Sequence, residues 1–90
     1  EGFQLMQNYP NPFNPSTKIR FSVPSVGTLH VTSLRVYDVL GREVATLVNE
    51  NLNAGSYQVT FKAEGLASGM YYYRLHAGSF SSTKKMLLVR

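Results

Sequence analysis

The chain has no cysteine. That excludes a disulfide framework and a thiolate metal site. It leaves the redox compartment open, because a cysteine-free domain folds on either side of a membrane. Long apolar runs are missing as well. The longest, Met86 to Val89, is strand-sized and far short of the about 20 residues that span a bilayer, so no transmembrane segment is expected. Acid is scarce: five Asp and Glu against nine Lys and Arg give a net charge of +4. An anionic partner would suit that balance. The cations are scattered, however, and most alternate with apolar residues as on a solvent face. No basic patch interleaves with exposed aromatics, and nucleic-acid binding is not expected. The chain opens at Glu1 without a basic-then-apolar leader, as expected of a piece cut from a longer polypeptide.

What is present reads as short strands. Ninety residues make one domain, and 43% hydrophobic with 12% aromatic residues is ample for a packed core. The stretch Leu66 to Leu75, LASGMYYYRL, carries the clearest signal. Gly69 permits a backbone turn that other residues resist, and Tyr71, Tyr73 and Leu75 follow at period two on one face of a strand. A glycine two residues before a strand-opening tyrosine is the pattern of the tyrosine corner, in which the phenol bonds back to upstream backbone. Leu52, Gly55, Tyr57, Val59 and Phe61 repeat the phrase.

The remaining segments fit the same scheme. Residues 1–7 read as a linker remnant or a first edge strand. Asn8 to Ser16 holds Pro10, Pro12 and Pro15, too many lost donors for helix or central strand. An extended edge is expected there, with Tyr9 and Phe13 tucked against the body. Thr17 to Val23 alternates, with Ile19, Phe21 and Val23 inward, and ends at Pro24 and Gly27. Leu29 and Val31 open the next strand in odd phase, whereas Leu34 and Val36 continue in even phase, so a bulge is expected at Thr32–Ser33. Asp38 to Arg42 is a tight hairpin with Gly41 left-handed. Glu43 to Val48 returns, Asn49 to Ala54 connects, Ala77–Gly78–Ser79 turns, and Phe80 to Val89 is the last strand. The expected fold is all-β, an immunoglobulin-like antiparallel β-sandwich of about seven strands, with the sandwich over residues 8–90.

Chemistry does not emerge from these residues. Catalysis needs a nucleophile or an acid and base within reach. His30 and His76 sit on different strands, the lone Asp38 belongs to a hairpin, and the glutamates are dispersed. No catalytic residue, metal ligand set or cofactor is expected. Tyr71 to Tyr73 raises the alternative of a carbohydrate-binding or structural accessory module of an extracellular enzyme, but alternation turns only Tyr72 outward.

The order of the motifs is more specific than any one of them. NYPNPFNPSTKI from Asn8, VYDVLGREV from Val36, LASGMY from Leu66 and STKKMLLV from Ser82 together resemble the C-terminal sorting domain of type IX secretion cargo, the Por secretion tail, over nearly the whole chain. That resemblance implies a non-catalytic sorting signal in Bacteroidota-like bacteria. Its parent would carry a catalytic or adhesive domain N-terminal to it, cross the periplasm, and be exported through the outer membrane to the cell surface or beyond. Recognition would be by the type IX translocon, and a sortase-like peptidase would cleave the domain and anchor the cargo. By position, Lys84, Lys85, Met86, Leu87, Leu88 and Val89, with Arg90 closing, match the family's C-terminal signal. Gly69 and Tyr71 match its Gly-x-Tyr, Gly41 and Arg42 its hairpin, and Pro10, Asn11 and Pro12 its opening motif. An edge strand offers unpaired amides and carbonyls to a partner strand, so the last strand is expected to be read along its edge. Pairing of two copies edge to edge is a further expectation.

Overall fold

Seven strands and no helix make up residues 2–24 and 31–90, which the computed structural model describes. They are β1 Gln4–Leu5, β2 Ser16–Val23, β3 Val31–Tyr37, β4 Glu43–Asn51, β5 Gly55–Lys62, β6 Gly69–Ala77 and β7 Phe80–Leu88. A three-stranded sheet in the order β1-β2-β5 faces a four-stranded sheet in the order β4-β3-β6-β7. All named pairings are antiparallel. This is the expected immunoglobulin-like sandwich.

Period-two alternation places the core. Thr17, Ile19, Phe21 and Val23 of β2, Phe61 of β5, Leu34 and Val36 of β3, and Tyr71, Tyr73 and Leu75 of β6 are all buried. Met86 and Leu88 close the layer from β7. Each large apolar side chain removed from water contributes about 1.5–3 kcal/mol. Phe21 stacks on Tyr57 across the β2–β5 pair, with centroids 5.4 Å apart.

The repeated phrase produces the same joint twice. Tyr71 donates its hydroxyl to the Ala67 carbonyl at 2.7 Å, and Tyr57 donates to the Asn53 carbonyl, each four residues upstream. Gly69 and Gly55 stand at φ +147° and +152°, outside what a side chain accepts easily. One tyrosine corner thus opens a strand in each sheet.

The hairpin also forms as its residues imply. The Gly41 amide bonds the Asp38 carbonyl and Gly41 takes φ +84°, the left-handed position of a three-residue loop. The Asp38 carboxylate accepts the Leu40 and Arg42 amides at 2.9 Å and the Arg42 Nε at 2.8 Å. The Arg42 amide foremost, then its guanidinium and the Leu40 amide, hold the Asp38 carboxyl below its ordinary value of 3.8.

Three expectations need correction. The irregularity is not at Thr32–Ser33. Val31 is already exposed and Thr32 buried, so β3 is in even phase from its first residue. Its pairing with β6 runs unbroken from Thr32 to Tyr37. The register shifts lie between β3 and β4, where Leu34 faces Val48 but Arg35 faces Thr46, and Val36 faces Ala45 but Tyr37 faces Glu43. The extra residues, Leu47 and Val44, are on the outer strand, where a bulge disturbs only one neighbour. Leu29, His30 and the turn at Gly27 lie outside the described residues. Tyr9 is 77% exposed rather than tucked in. Its amide and carbonyl both bond Lys18, which turns the phenol outward beside that lysine and leaves the inward place to Asn8. Finally, β4 runs on to Asn51, into what read as a polar connection.

Candidate functional site: the last strand and the segment laid along it

The proline-rich segment takes up the outer edge of β7. In an antiparallel strand alternate residues turn both backbone groups to the same side, and Lys85, Leu87 and Val89 turn theirs away from β6. Gln7 donates its side-chain amide to the Lys85 carbonyl at 2.8 Å. The Leu87 amide bonds Asn11 Oδ1 at 3.0 Å, and the Leu87 carbonyl accepts the Phe13 amide at 3.0 Å. The Val89 amide then donates to the Phe13 carbonyl at 3.0 Å. Residues 7–13 are therefore a strap along the C-terminal half of the edge. From the Lys85 carbonyl to the Val89 amide the edge groups are taken by the chain's own backbone and amide side chains, so a partner strand could read that stretch only by displacing the strap.

The strap is fastened from within. Phe13 is 2% exposed and packs against Phe61, with centroids 6.1 Å apart. Asn8 is equally buried. Its amide donates to the Tyr73 hydroxyl at 2.8 Å, and its side chain donates to Thr17 Oγ1 and the Pro10 carbonyl. Tyr73 in turn donates to the Met6 carbonyl at 2.8 Å, and Thr17 to the Pro10 carbonyl at 2.8 Å. Among the described residues no buried side-chain nitrogen or oxygen lacks a partner. Burial pushes the Tyr73 phenol up to about 12, against the opposing bond from the Asn8 amide. Asn8 and Gln7 were not singled out from sequence. Thr17 could have been, since it extends the inward period of Ile19 and Phe21.

The candidate signal residues divide by position. Met86 and Leu88 are core, and Lys84 is half-buried on their row. Lys85 and Leu87 lie on the opposite, solvent-facing row. Val89 is 48% exposed. Arg90 donates its guanidinium to the Ala63 and Leu66 carbonyls at 3.0 and 2.7 Å, and its amide to Ser68 Oγ at 3.0 Å, clamping the loop before β6. Pro10, Asn11 and Pro12 belong to the strap, Gly41 and Arg42 to the hairpin, and Gly69 and Tyr71 to the second tyrosine corner.

The solvent face of the four-stranded sheet carries more aromatic surface than alternation alone predicts. Tyr72 does not stand alone there, for Tyr37 faces it across the β3–β6 pair and Arg74 sits 5.2 Å over the Tyr37 ring. Glu43 pairs with Arg35 at 3.6 Å. His76 is exposed on the same face, and no group of metal-ligating side chains occurs among the described residues.

Two facing antiparallel sheets, with a buried polar network that secures one segment against them, define an immunoglobulin-like module. The chain belongs to the family of secretion system C-terminal sorting domains, the type IX secretion tails, whose model matches residues 7–89. Comparison with curated proteins finds no match. Among solved structures, the chain is similar to a mutant β-glucosidase from Listeria innocua in complex with laminaribiose, at 15% identity and a TM-score of 0.57. That alignment covers 98% of this chain and 16% of the glucosidase, and the likeness is one of fold alone. The domain's role is C-terminal sorting in type IX secretion, with export to the cell surface or the extracellular space.

Proposed function

We propose that residues 8–90 are a non-catalytic signal that the type IX translocon recognises after the parent protein has folded in the periplasm. A sortase-like peptidase then removes the domain and anchors the parent, catalytic or adhesive, at the surface. The observation that carries this reading is the family match over residues 7–89, which takes in the strap, the hairpin, the second tyrosine corner and the last strand. In this reading the signal candidates do different work, and their burial and bonding support the division. Met86 and Leu88 keep β7 in place, Arg90 fixes the neighbouring loop, and Lys85 and Leu87 are presented.

The test is a fusion of residues 1–90 behind a folded fluorescent reporter with an inner-membrane signal. It is expressed in a bacterium that has a type IX apparatus and in a matched strain without one, then fractionated. Reporter at the surface only where the apparatus is present is the expected result. Reporter held in the periplasm of both strains overturns the proposal. Deleting Lys84 to Arg90 is the blunter experiment, because it also removes core.

A further inference from the structure

From the Lys85 carbonyl to the Val89 amide the outward backbone groups are held by the strap. The strap is anchored by Phe13 and by the buried Asn8, Thr17 and Tyr73 network. Displacing it would unpack the sandwich, so a partner reaches this half of β7 from the solvent face of the sheet.

That face has a distinct character at its hairpin end. Val39 and Leu40 are 64% and 74% exposed at the loop tip, where turn chemistry asks only for Asp38 and Gly41. A groove of about 220 Å³ lies between Val39 and the row of Tyr72 and Arg74. A second, of about 250 Å³, continues around Val39 and Leu40 to Met70. Met70 faces Leu87 across the strand pair, and Tyr72 faces Lys85. Both acids nearby are engaged, Glu43 with Arg35 and Asp38 with Arg42. Among the described residues no carboxylate is in ion-pair reach of Arg74 or Lys85, and the face carries surplus positive charge beside its apolar groups.

We infer that Val39, Leu40, Met70 and Tyr72, flanked by Arg74 and Lys85, form a docking surface for a protein segment that brings acidic side chains beside apolar ones. The segment lies across the sheet instead of adding a strand to its edge. Charge selects this occupant over a second copy, since two such faces, or two β7 strands paired at Lys85, would set cations against each other. The inference rests on the sorting reading for its setting, in which the partner belongs to the export apparatus.

In the reporter fusion, Val39→Ser with Leu40→Ser, and separately Arg74→Glu with Lys85→Glu, should each lower surface reporter by about tenfold or more, as loss of interface anchors does. Both pairs should melt within about 4 °C of the parent, since they lie on the surface. Lys18→Glu with Arg20→Glu, on the solvent face of the other sheet, should deliver normally. Normal delivery of both face variants alongside a working parent fusion overturns the inference and leaves the sorting reading intact. Equal loss from the Lys18 and Arg20 pair also overturns it, because overall charge would then be what is read. A binding measurement stands apart from export. Titrating the purified 90-residue chain with a soluble glutamate–leucine peptide should shift the amide resonances of Val39, Leu40, Met70 and Tyr72, and a lysine–leucine peptide should not. No shift at these residues, or the same shift with polyglutamate alone, overturns the inference whatever the fusions do.

Discussion

Replacing Tyr73 with phenylalanine removes one oxygen and unties two backbone groups, one buried and one partly buried. The hydroxyl accepts the Asn8 amide and donates to the Met6 carbonyl, each at 2.8 Å. The phenylalanine ring keeps the packing in β6, so the cost comes almost wholly from polar groups left without partners. A buried donor stranded in this way costs about 1–3 kcal/mol, and the partly buried Met6 carbonyl adds less. The expected loss is about 2–4 kcal/mol at pH 7, or a fall in melting temperature of roughly 10–25 °C for a domain of this size. Alkali supplies a second, independent signature. The Tyr73 phenol is pushed up to about 12 when folded, against about 10 in an unfolded chain. The folded state therefore holds that proton more tightly. Its contribution is fully present below pH 10 and is lost as pH rises from 10 to 12, by about 2–3 kcal/mol. Tyr73→Phe lacks that loss. Thermal unfolding at pH 7, with urea unfolding at steps from pH 9 to 12, measures both. Melting temperatures within about 3 °C at pH 7, with equal losses in alkali, would refute the role assigned to the hydroxyl.

Other substitutions probe the same architecture. Phe13→Ala should cost about 3–5 kcal/mol, and hydrogen exchange should show the Leu87 and Val89 amides losing protection with it. Arg90→Ala removes the guanidinium bonds to the Ala63 and Leu66 carbonyls from an exposed position and keeps the backbone bond to Ser68. About 1 kcal/mol is expected, with faster exchange confined to residues 63–68. Asp38 has a lowered carboxyl pKa, so its contribution is present above about pH 4 and fades as pH falls through the folded value. Melting curves of Asp38→Asn should be flatter than the parent's on that acid limb, and parallel curves would count against the turn bonds.

The inward rows of β2, β5 and β6 were legible because each alternates without a break. Both tyrosine corners were legible because one short phrase carries a glycine and a tyrosine at fixed spacing. The β3–β4 irregularity was misplaced, because apolar phase tells that a slip exists and not which partner strand absorbs it. Val31 read as inward only because it is apolar, yet β3 is set by its unbroken pairing with β6. The strap was the larger omission. Prolines announce an extended edge, but which backbone groups it covers depends on contacts 76 and 78 residues apart, which no local pattern encodes. Asn8 likewise looks like one more polar turn residue until Tyr73 and Thr17 close around it. The docking face was half visible, since Tyr72 was placed outward while its neighbour Tyr37 was not.

Bonds between residues 7–13 and 85–89 make the two regions a single mechanical joint. Tension applied through a cargo attached ahead of residue 7 would load the Phe13 and Asn11 contacts in line with β7, drawing on the whole ladder to Gly69–Ala77 before anything yields. Damage on either side of the joint would also produce the same defect, so a chain trimmed within residues 7–13 should behave like one trimmed at Leu87. Presentation of the last strand in its native pose thus reports that both regions are present and folded together.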